Sequence, residues 1–397
     1  MIKSETSTIV APYGGPRYSA LSRRIHGWSW QSFPIGMGTG TIYILLSALN
    51  PHPVWVTKIE IVFYILNICM FSVNVSMLAL QFMLFPSQSL RLLLDPAKGI
   101  YVPLSVLSFA TILIGTINYV APVGIIDTNG IYVMFWIYVA LALAVSFPML
   151  IIWFNKPHDA TTFTPAWAFL IFPIMLTGII ALNVLRVIPA SDPRALGILL
   201  IGYVFQGIGF FMTFFYLAIY VLRIMTTGFM NGHQANGAFV ACGPPGFTAL
   251  ALINLGASAR DIFPQYNLVS PIAGEIFYAA SVLSALLLFG LAVFFFVLGV
   301  LPYWSKLHKN LNEILGCWAL TFPNVGWINT VMALRKIFNI PGFDEWHLVM
   351  TILVCLTWLF LFSFTVVAFW KGEILMSRDE DIHADVPTTK PKLEDMV

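Results

Sequence analysis

Charge is what this sequence has least of. Lys and Arg number 20 and Asp and Glu 18 in 397 residues, 10% of the chain, where soluble domains carry about 25%. With a mean hydropathy of +0.85, that deficit excludes a soluble globular protein. Apolar runs cover nearly the whole length, so a soluble domain on one anchor is excluded too. A formal net charge of +2 leaves no basic face for nucleic acid. The four cysteines, Cys69, Cys242, Cys317 and Cys355, lie in apolar runs and read as small buried residues, not disulfides or metal ligands. The seven histidines stand at span ends or in loops, with no mid-span pair at ligand spacing, which argues against a haem-binding bundle. No Walker loop, His-Glu-x-x-His or Gly-x-Ser-x-Gly is present, and no cofactor, metal or catalytic residue is expected. Residues 1–25 are polar and carry no cleavable signal peptide.

What is present is apolar sequence in span-sized portions. Ten runs are long enough to cross a bilayer of roughly 30 Å: 28–49, 58–84, 101–121, 130–154, 166–185, 195–224, 239–257, 275–302, 314–334 and 346–370. Even-numbered runs are mostly longer and uniformly greasy. Odd-numbered runs after the first are shorter and richer in Gly, Pro, Thr and Asn, the alternation that lipid-facing outer helices and broken inner helices produce. With the N-terminus inside, the inside segments hold fourteen Lys and Arg and the outside segments six, which places both termini in the cytoplasm. Residues 1–24 and 374–397 are too polar to build a core and are expected as disordered cytoplasmic tails around a transmembrane domain at 25–373.

A phrase recurs inside the odd runs. Trp28-Ser-Trp-Gln-Ser-Phe33-Pro34-Ile-Gly-Met-Gly38-Thr-Gly40 opens the first, Trp167-Ala-Phe-Leu-Ile-Phe172-Pro173-Ile-Met-Leu-Thr-Gly178 the fifth and Trp318-Ala-Leu-Thr-Phe322-Pro323-Asn-Val-Gly326 the ninth. The seventh has Gly243-Pro244-Pro245-Gly246-Phe247-Thr248, and the third keeps only Phe109 and Gly115. Proline removes a helical hydrogen bond, and in lipid such a break survives only inside protein or beside a water-filled cavity. The odd helices therefore read as an inner ring around a permeation path.

These residues carry a resemblance. Phe172-Pro-Ile-Met-Leu-Thr-Gly178 and Cys242-Gly-Pro-Pro-Gly-Phe-Thr-Ala-Leu-Ala-Leu252, with His26-Gly-Trp-Ser-Trp30 and Gly36-Met-Gly-Thr-Gly40, resemble the tellurite-resistance/dicarboxylate transporter family. That family includes plant slow anion channels, fungal sulfite efflux pumps and fungal malic acid permeases, and the fifth- and seventh-run motifs look closest to the malic acid branch. The resemblance spans about residues 25–370. It implies an all-α integral membrane protein of ten transmembrane helices, five helical hairpins around a central pore, often a homotrimer and here expected in the plasma membrane. The implied substrate is a small anion, most simply a C4-dicarboxylate such as malate, with sulfite efflux or an inorganic anion channel as the alternative. In the resembled channels the phenylalanine matching Phe322 plugs the pore, and Phe33 and Phe172 hold matching places in their own helices.

An anion path needs positive potential without a trapping charge. No Lys or Arg falls near the middle of an odd run, so half-helix starts and small polar residues are the candidates. Gly38, Thr39, Gly40, Thr177, Gly178, Gly243, Thr248, Thr321 and Asn324 stand near the breaks. Each reads equally as a close-packing position; as a set we read them as pore lining. Arg186 closes the fifth run and is expected to draw anions into an outer vestibule, while Lys58 reads as a headgroup anchor. Glu60 and Glu275 read as helix-start charges, not as proton-coupling groups. A multispanning intramembrane enzyme is the reading from another class. It would place ionisable or nucleophilic residues mid-span, and this chain does not.

Overall fold

Where the prolines stand decides where the helices begin. The computed structural model describes residues 18–306 and 310–385. In chain order the helices are α1 (Ala20–Gly27), α2 (Phe33–Leu46), α3 (Val54–Leu84), α4 (Pro86–Leu94), α5 (Leu104–Gly115), α6 (Thr128–Phe154), α7 (Phe172–Val184), α8 (Pro193–Thr227), α9 (Gly243–Tyr266), α10 (Ala273–Lys306), α11 (Ile314–Cys317), α12 (Val325–Phe338), α13 (Phe343–Lys371) and α14 (Asp379–Asp385). No strand occurs among the described residues. Pro34, Pro173 and Pro244 occupy the first turns of α2, α7 and α9. Pro323 lies in the single 3-10 turn Phe322–Asn324 that leads into α12, and Pro103 stands just before α5. The phrase was read as a break inside a helix. It is instead a junction, because each α-helix follows a 3-10 lead-in such as Trp30–Ser32 or Pro165–Leu170. Proline is tolerated there, since a first-turn amide has no helical partner to lose.

Burial sorts the helices into two sets. All thirteen residues of α7 are buried, as are most of α2, α5, α9 and α12. The long helices α3, α6, α8, α10 and α13 present Phe82, Ile151, Phe211, Leu287 and Phe360 outward. Among the described residues seven segments are long and apolar enough to cross a membrane: those five helices, Gly99–Val120 and Gln234–Tyr266. The helices α2, α7 and α12 have only 13 or 14 α-helical residues, about 20 Å, and are extended by their 3-10 lead-ins. Each inner helix packs on the outer helix that follows it, α2 on α3, α5 on α6, α7 on α8, α9 on α10 and α12 on α13. Lipid gives no hydrophobic drive for helix association, so close backbone approach does that work. At the α9–α12 crossing a side chain on Gly326 would collide with the Phe247 amide, and one on Gly246 would lie 2.7 Å from the Trp327 amide. Only glycine fits at either place.

Local signals set the outer helix ends. Asp192 caps α8 by accepting from the Arg194 amide, Pro193 fills its first turn, and Gly228 at φ 78° ends it, the usual proline-in, glycine-out order. Cys69 differs from its sequence reading: it lies exposed on α3, because the outward face of an outer helix meets lipid.

The tail reading also changes where the chain is described. Residues 1–17 and 386–397 lie outside the described residues, but 18–24 and 374–385 fold onto each other. Ile382 packs with Ile25 and Phe85, which is the apolar anchor that the polar composition hides. His26 bonds Ser377 Oγ through Nδ1 at 2.7 Å and Asp385 Oδ2 through Nε2 at 2.9 Å, and Arg91 grips the same carboxylate. The amide of Ser377 donates to the Arg23 carbonyl at 3.1 Å. Both described ends therefore sit on one face. Burial would push the Asp385 carboxyl up, but hydrogen bonds and charge from Arg91 and His26 hold it below the usual carboxylate range. A lowered carboxylate stabilises above its unfolded-state pKa and is lost as pH falls through the folded one. Asp385→Asn should therefore loosen residues 374–385 at neutral pH, as acid does in the wild type. Hydrogen exchange of that segment measures it, and unchanged protection would remove Asp385 from its anchoring.

Candidate functional site

Among the described residues the inner helices line a cavity toward each face. The first lies toward the face holding the chain ends and occupies about 440 Å3. Its wall is aromatic, with Tyr101, Trp153, Trp167, Phe172 and Trp318, and its polar groups include Gln31, His158, Gln234 and Asn236. The second opens toward the opposite face and occupies about 570 Å3. Asn118, Asn183, Asn254 and Asn329 line it with Arg186, Arg335 and Lys336, above an apolar floor that includes Leu176, Ile179, Phe247 and Val325. Among the described residues no carboxylate lines this second cavity.

Phe322 is the single described residue that lines both. Its ring is 4% exposed and lies against Phe247, centroids 5.0 Å apart and planes tilted by 32°. The backbone before it is irregular: Thr321 stands between two 3-10 turns at φ −99°, ψ −82°. That kink, the Pro323 turn and the glycine crossing of α9 with α12 together put the two rings at the cavity junction. The starts of α2, α7 and α9 carry no side-chain cap, so their first-turn amides contribute dipole without full charge.

The residues singled out from sequence separate into two groups. Phe172 lines the first cavity beside Phe322. Phe33 does not; it is buried against Trp30 and Phe71, 6.1 and 6.0 Å away. None of Gly38, Thr39, Gly40, Thr177, Gly178, Gly243, Thr248, Thr321 and Asn324 lines either cavity. Six of them pack one element against another, and the other three bond within their own element. A side chain on Gly38 would strike Trp318, one on Gly40 would strike Thr111, and one on Gly178 would strike Gln206; Gly243 meets Pro323. Thr39 accepts from Trp358 Nε1 at 3.1 Å and Thr248 from Gln206 Nε2 at 2.8 Å, both on outer helices. Thr177 and Thr321 donate to Pro173 and Trp318 carbonyls, and Asn324 accepts from Trp327 Nε1. Here the alternative weighed for these small residues, close packing, describes their positions.

Arg186 does line the second cavity, where Nη1 donates to Asn118 Oδ1 and Asn183 Oδ1, each at 3.2 Å. The asparagines, Phe247, Arg335 and Lys336 were not singled out. Asn183, Asn254 and Asn329 were visible as rare amides in apolar helices, a recognised pointer to function. Glu60 is not in the first turn of α3, as a helix-start charge requires. It is 1% exposed and bonded by His52 Nε2 at 2.8 Å and the Tyr119 hydroxyl at 3.2 Å.

Long apolar outer helices, a buried inner ring and a cationic cavity facing an aromatic one define an integral membrane transport protein for anions. The sequence matches the voltage-dependent anion channel family (SLAC1) over residues 27–366, and the chain belongs to that family. It is 28% identical over 380 residues to the malic acid transport protein of Schizosaccharomyces pombe, covering 94% of this chain and 84% of that one. It is 26% identical over 354 residues to the sulfite efflux pumps SSU1 of Arthroderma benhamiae and Trichophyton rubrum, covering 87% of this chain and 91% of each of those. The family and these relatives are channels and transporters, not enzymes.

Arg186→Gln should raise the KM for anion uptake from the vestibule face at low ionic strength, by about three-fold to ten-fold for one partly screened charge. The effect should shrink as salt rises. Uptake kinetics in proteoliposomes at low and high salt measure this, and an unchanged KM at low salt would take Arg186 out of the vestibule.

Proposed function

We propose that the chain carries small anions, C4-dicarboxylates such as malate foremost, along a path joining the two cavities at Phe322, with that ring as the gate. The observation that carries this reading is that Phe322 alone among the described residues borders both cavities. A ring at an apolar constriction blocks hydrated anions by sterics and dewetting. Ten crossings in five helical hairpins account for the five inner–outer pairs, and an even number agrees with both described ends lying on one face. The Lys and Arg distribution supports that face being cytoplasmic. The resemblance supports a homotrimer in the plasma membrane, with the exposed outer helices facing lipid or neighbouring copies.

The malic acid transport protein, matched over 94% of this chain, supports malate. The sulfite pumps, matched nearly as well, support sulfite as the second reading. Flux of malate, sulfite and chloride through the reconstituted protein decides between them, and sulfite flux without malate flux would overturn the dicarboxylate assignment.

Phe322→Ala should fold and raise malate flux several-fold, because the ring faces space on two sides. Phe33→Ala should lose about 3–5 kcal/mol of stability, as for a core phenylalanine, and gain no flux. A folded Phe322→Ala protein with wild-type flux would rule out Phe322 as the barrier.

A further inference from the structure

A buried carboxylate stands beside the vestibule. Glu60 lies on α3, and its two oxygens are taken by His52 Nε2 at 2.8 Å and the Tyr119 hydroxyl at 3.2 Å. A buried carboxylate needs partners for both of its oxygens, and Glu60 finds them in one titratable ring and one phenol. His52 sits on the connection from α2 to α3 with 32% of its side chain exposed, against 2% for Glu60. Tyr119 and its neighbour Asn118 belong to the π-helical turn Thr116–Val120 that ends α5; such turns occur often at functional sites. Tyr119 reaches Glu60, while Asn118 accepts from Arg186 at 3.2 Å.

The space around Glu60 adjoins the vestibule. A cavity of about 330 Å3 is lined by Ser47, His52, Glu60, Asn118, Tyr119 and Arg186. Three of these, Ser47, Asn118 and Arg186, also line the vestibule. Arg186 is the one cation among the described residues lining the smaller cavity, and Glu60 its one carboxylate. The other titratable groups nearby are spoken for or turned away. Tyr43 of α2 donates to the Thr111 carbonyl, Tyr64 of α3 pairs with Thr116, and Lys58 is exposed.

From this geometry we infer that the His52–Glu60 pair is a proton-binding site that sets the charge of the vestibule. Without the proton the pair carries one negative charge, which offsets the positive charge of Arg186 across the shared cavity. A proton taken up by the pair leaves it neutral. Arg186 then faces the incoming anion uncompensated. The sign follows directly: falling pH on the vestibule face strengthens anion capture and rising pH weakens it. The effect belongs to capture, so it appears in KM rather than in the maximal rate.

The inference rests on the vestibule reading, and the test separates the two. Malate uptake by the full-length protein in proteoliposomes is measured from pH 5 to pH 7.5 on the vestibule face, with chloride as the anion that does not itself titrate. Wild type, Arg186→Gln, Glu60→Gln, His52→Gln and the His52→Gln/Glu60→Gln double variant are compared as KM ratios at each pH, which cancels the titration of malate. The double variant should keep a low KM across the range, about five-fold to ten-fold below wild type at the alkaline end, the size expected for removing one charge at intermediate dielectric. Glu60→Gln should match it at the alkaline end. His52→Gln, altered at a half-exposed ring, supplies the answer if loss of Glu60 prevents folding: its KM should lose the wild-type response between pH 5 and pH 7.5. Folded variants that keep the wild-type pH profile would overturn the proton site. An Arg186→Gln protein with wild-type KM would overturn the vestibule reading instead.

Discussion

An amide surrounded by lipid has no water to bond to, and this constraint orders the whole chain. Four of the five inner elements change from 3-10 to α geometry where a proline stands, at Pro34, Pro173, Pro244 and Pro323. A change of winding leaves first-turn amides without partners. Proline removes one donor outright, and the rest have to be shielded from hydrocarbon. The long helices α3, α6, α8, α10 and α13 provide that shield, which is why they are the exposed set and the short helices the buried one. The same demand explains the crossing of α9 and α12. Two buried helix starts without side-chain caps lie side by side because Gly246 and Gly326 leave no side chain between them.

Phe322 inherits its place from those starts. It precedes Pro323 in a one-turn lead-in, so its ring leaves the backbone at the level where the helix starts meet. Phe247, four residues after Gly243 on the neighbouring start, arrives at the same level and closes against it. Neither ring would reach the junction if α9 or α12 ran as an unbroken helix from face to face. In the proposed reading the gate is thus a product of the helix breaks rather than an independent feature.

How much of this was legible depends on whether a signal is local. The Trp–Phe–Pro phrase and the alternation of greasy and small-residue runs are properties of neighbouring residues, and they located the inner helices and Phe322. What pairs across the chain was not legible. Thr39 and Thr248 looked like lumen hydroxyls, yet their partners Trp358 and Gln206 lie on outer helices, and no local pattern says toward which neighbour a threonine turns. Glu60 looked like a helix-start charge because it lies in the second turn of α3; its burial depends on Tyr119, 59 residues away. The terminal segment 374–385 looked solvated because Ile382 is a lone apolar residue among acids, and its seat against Ile25 and Phe85 is a tertiary fact.

The charge around the second cavity is graded, and the grading distinguishes its cations. Arg335 is tied to Asp344 at 2.7 Å, so much of its field closes on a neighbouring carboxylate. Arg186 is held instead by the neutral oxygens of Asn118 and Asn183, which fix its direction, and the carboxylate that shares a cavity with it is Glu60. Below Arg186 lie amides and then the apolar floor at Phe247 and Phe322. In the proposed reading an anion drawn in meets charge at the rim, dipoles further down and the Phe322 ring last. Affinity is strongest where exchange with solvent is easiest, and it weakens toward the constriction, where tight binding would stall passage. The first cavity offers no such gradient: among the described residues its lining has no Lys or Arg and includes Asp159. Potential of one sign at one mouth raises the encounter rate there, so in the proposed reading this asymmetry favours encounter with anions on the Arg186 side.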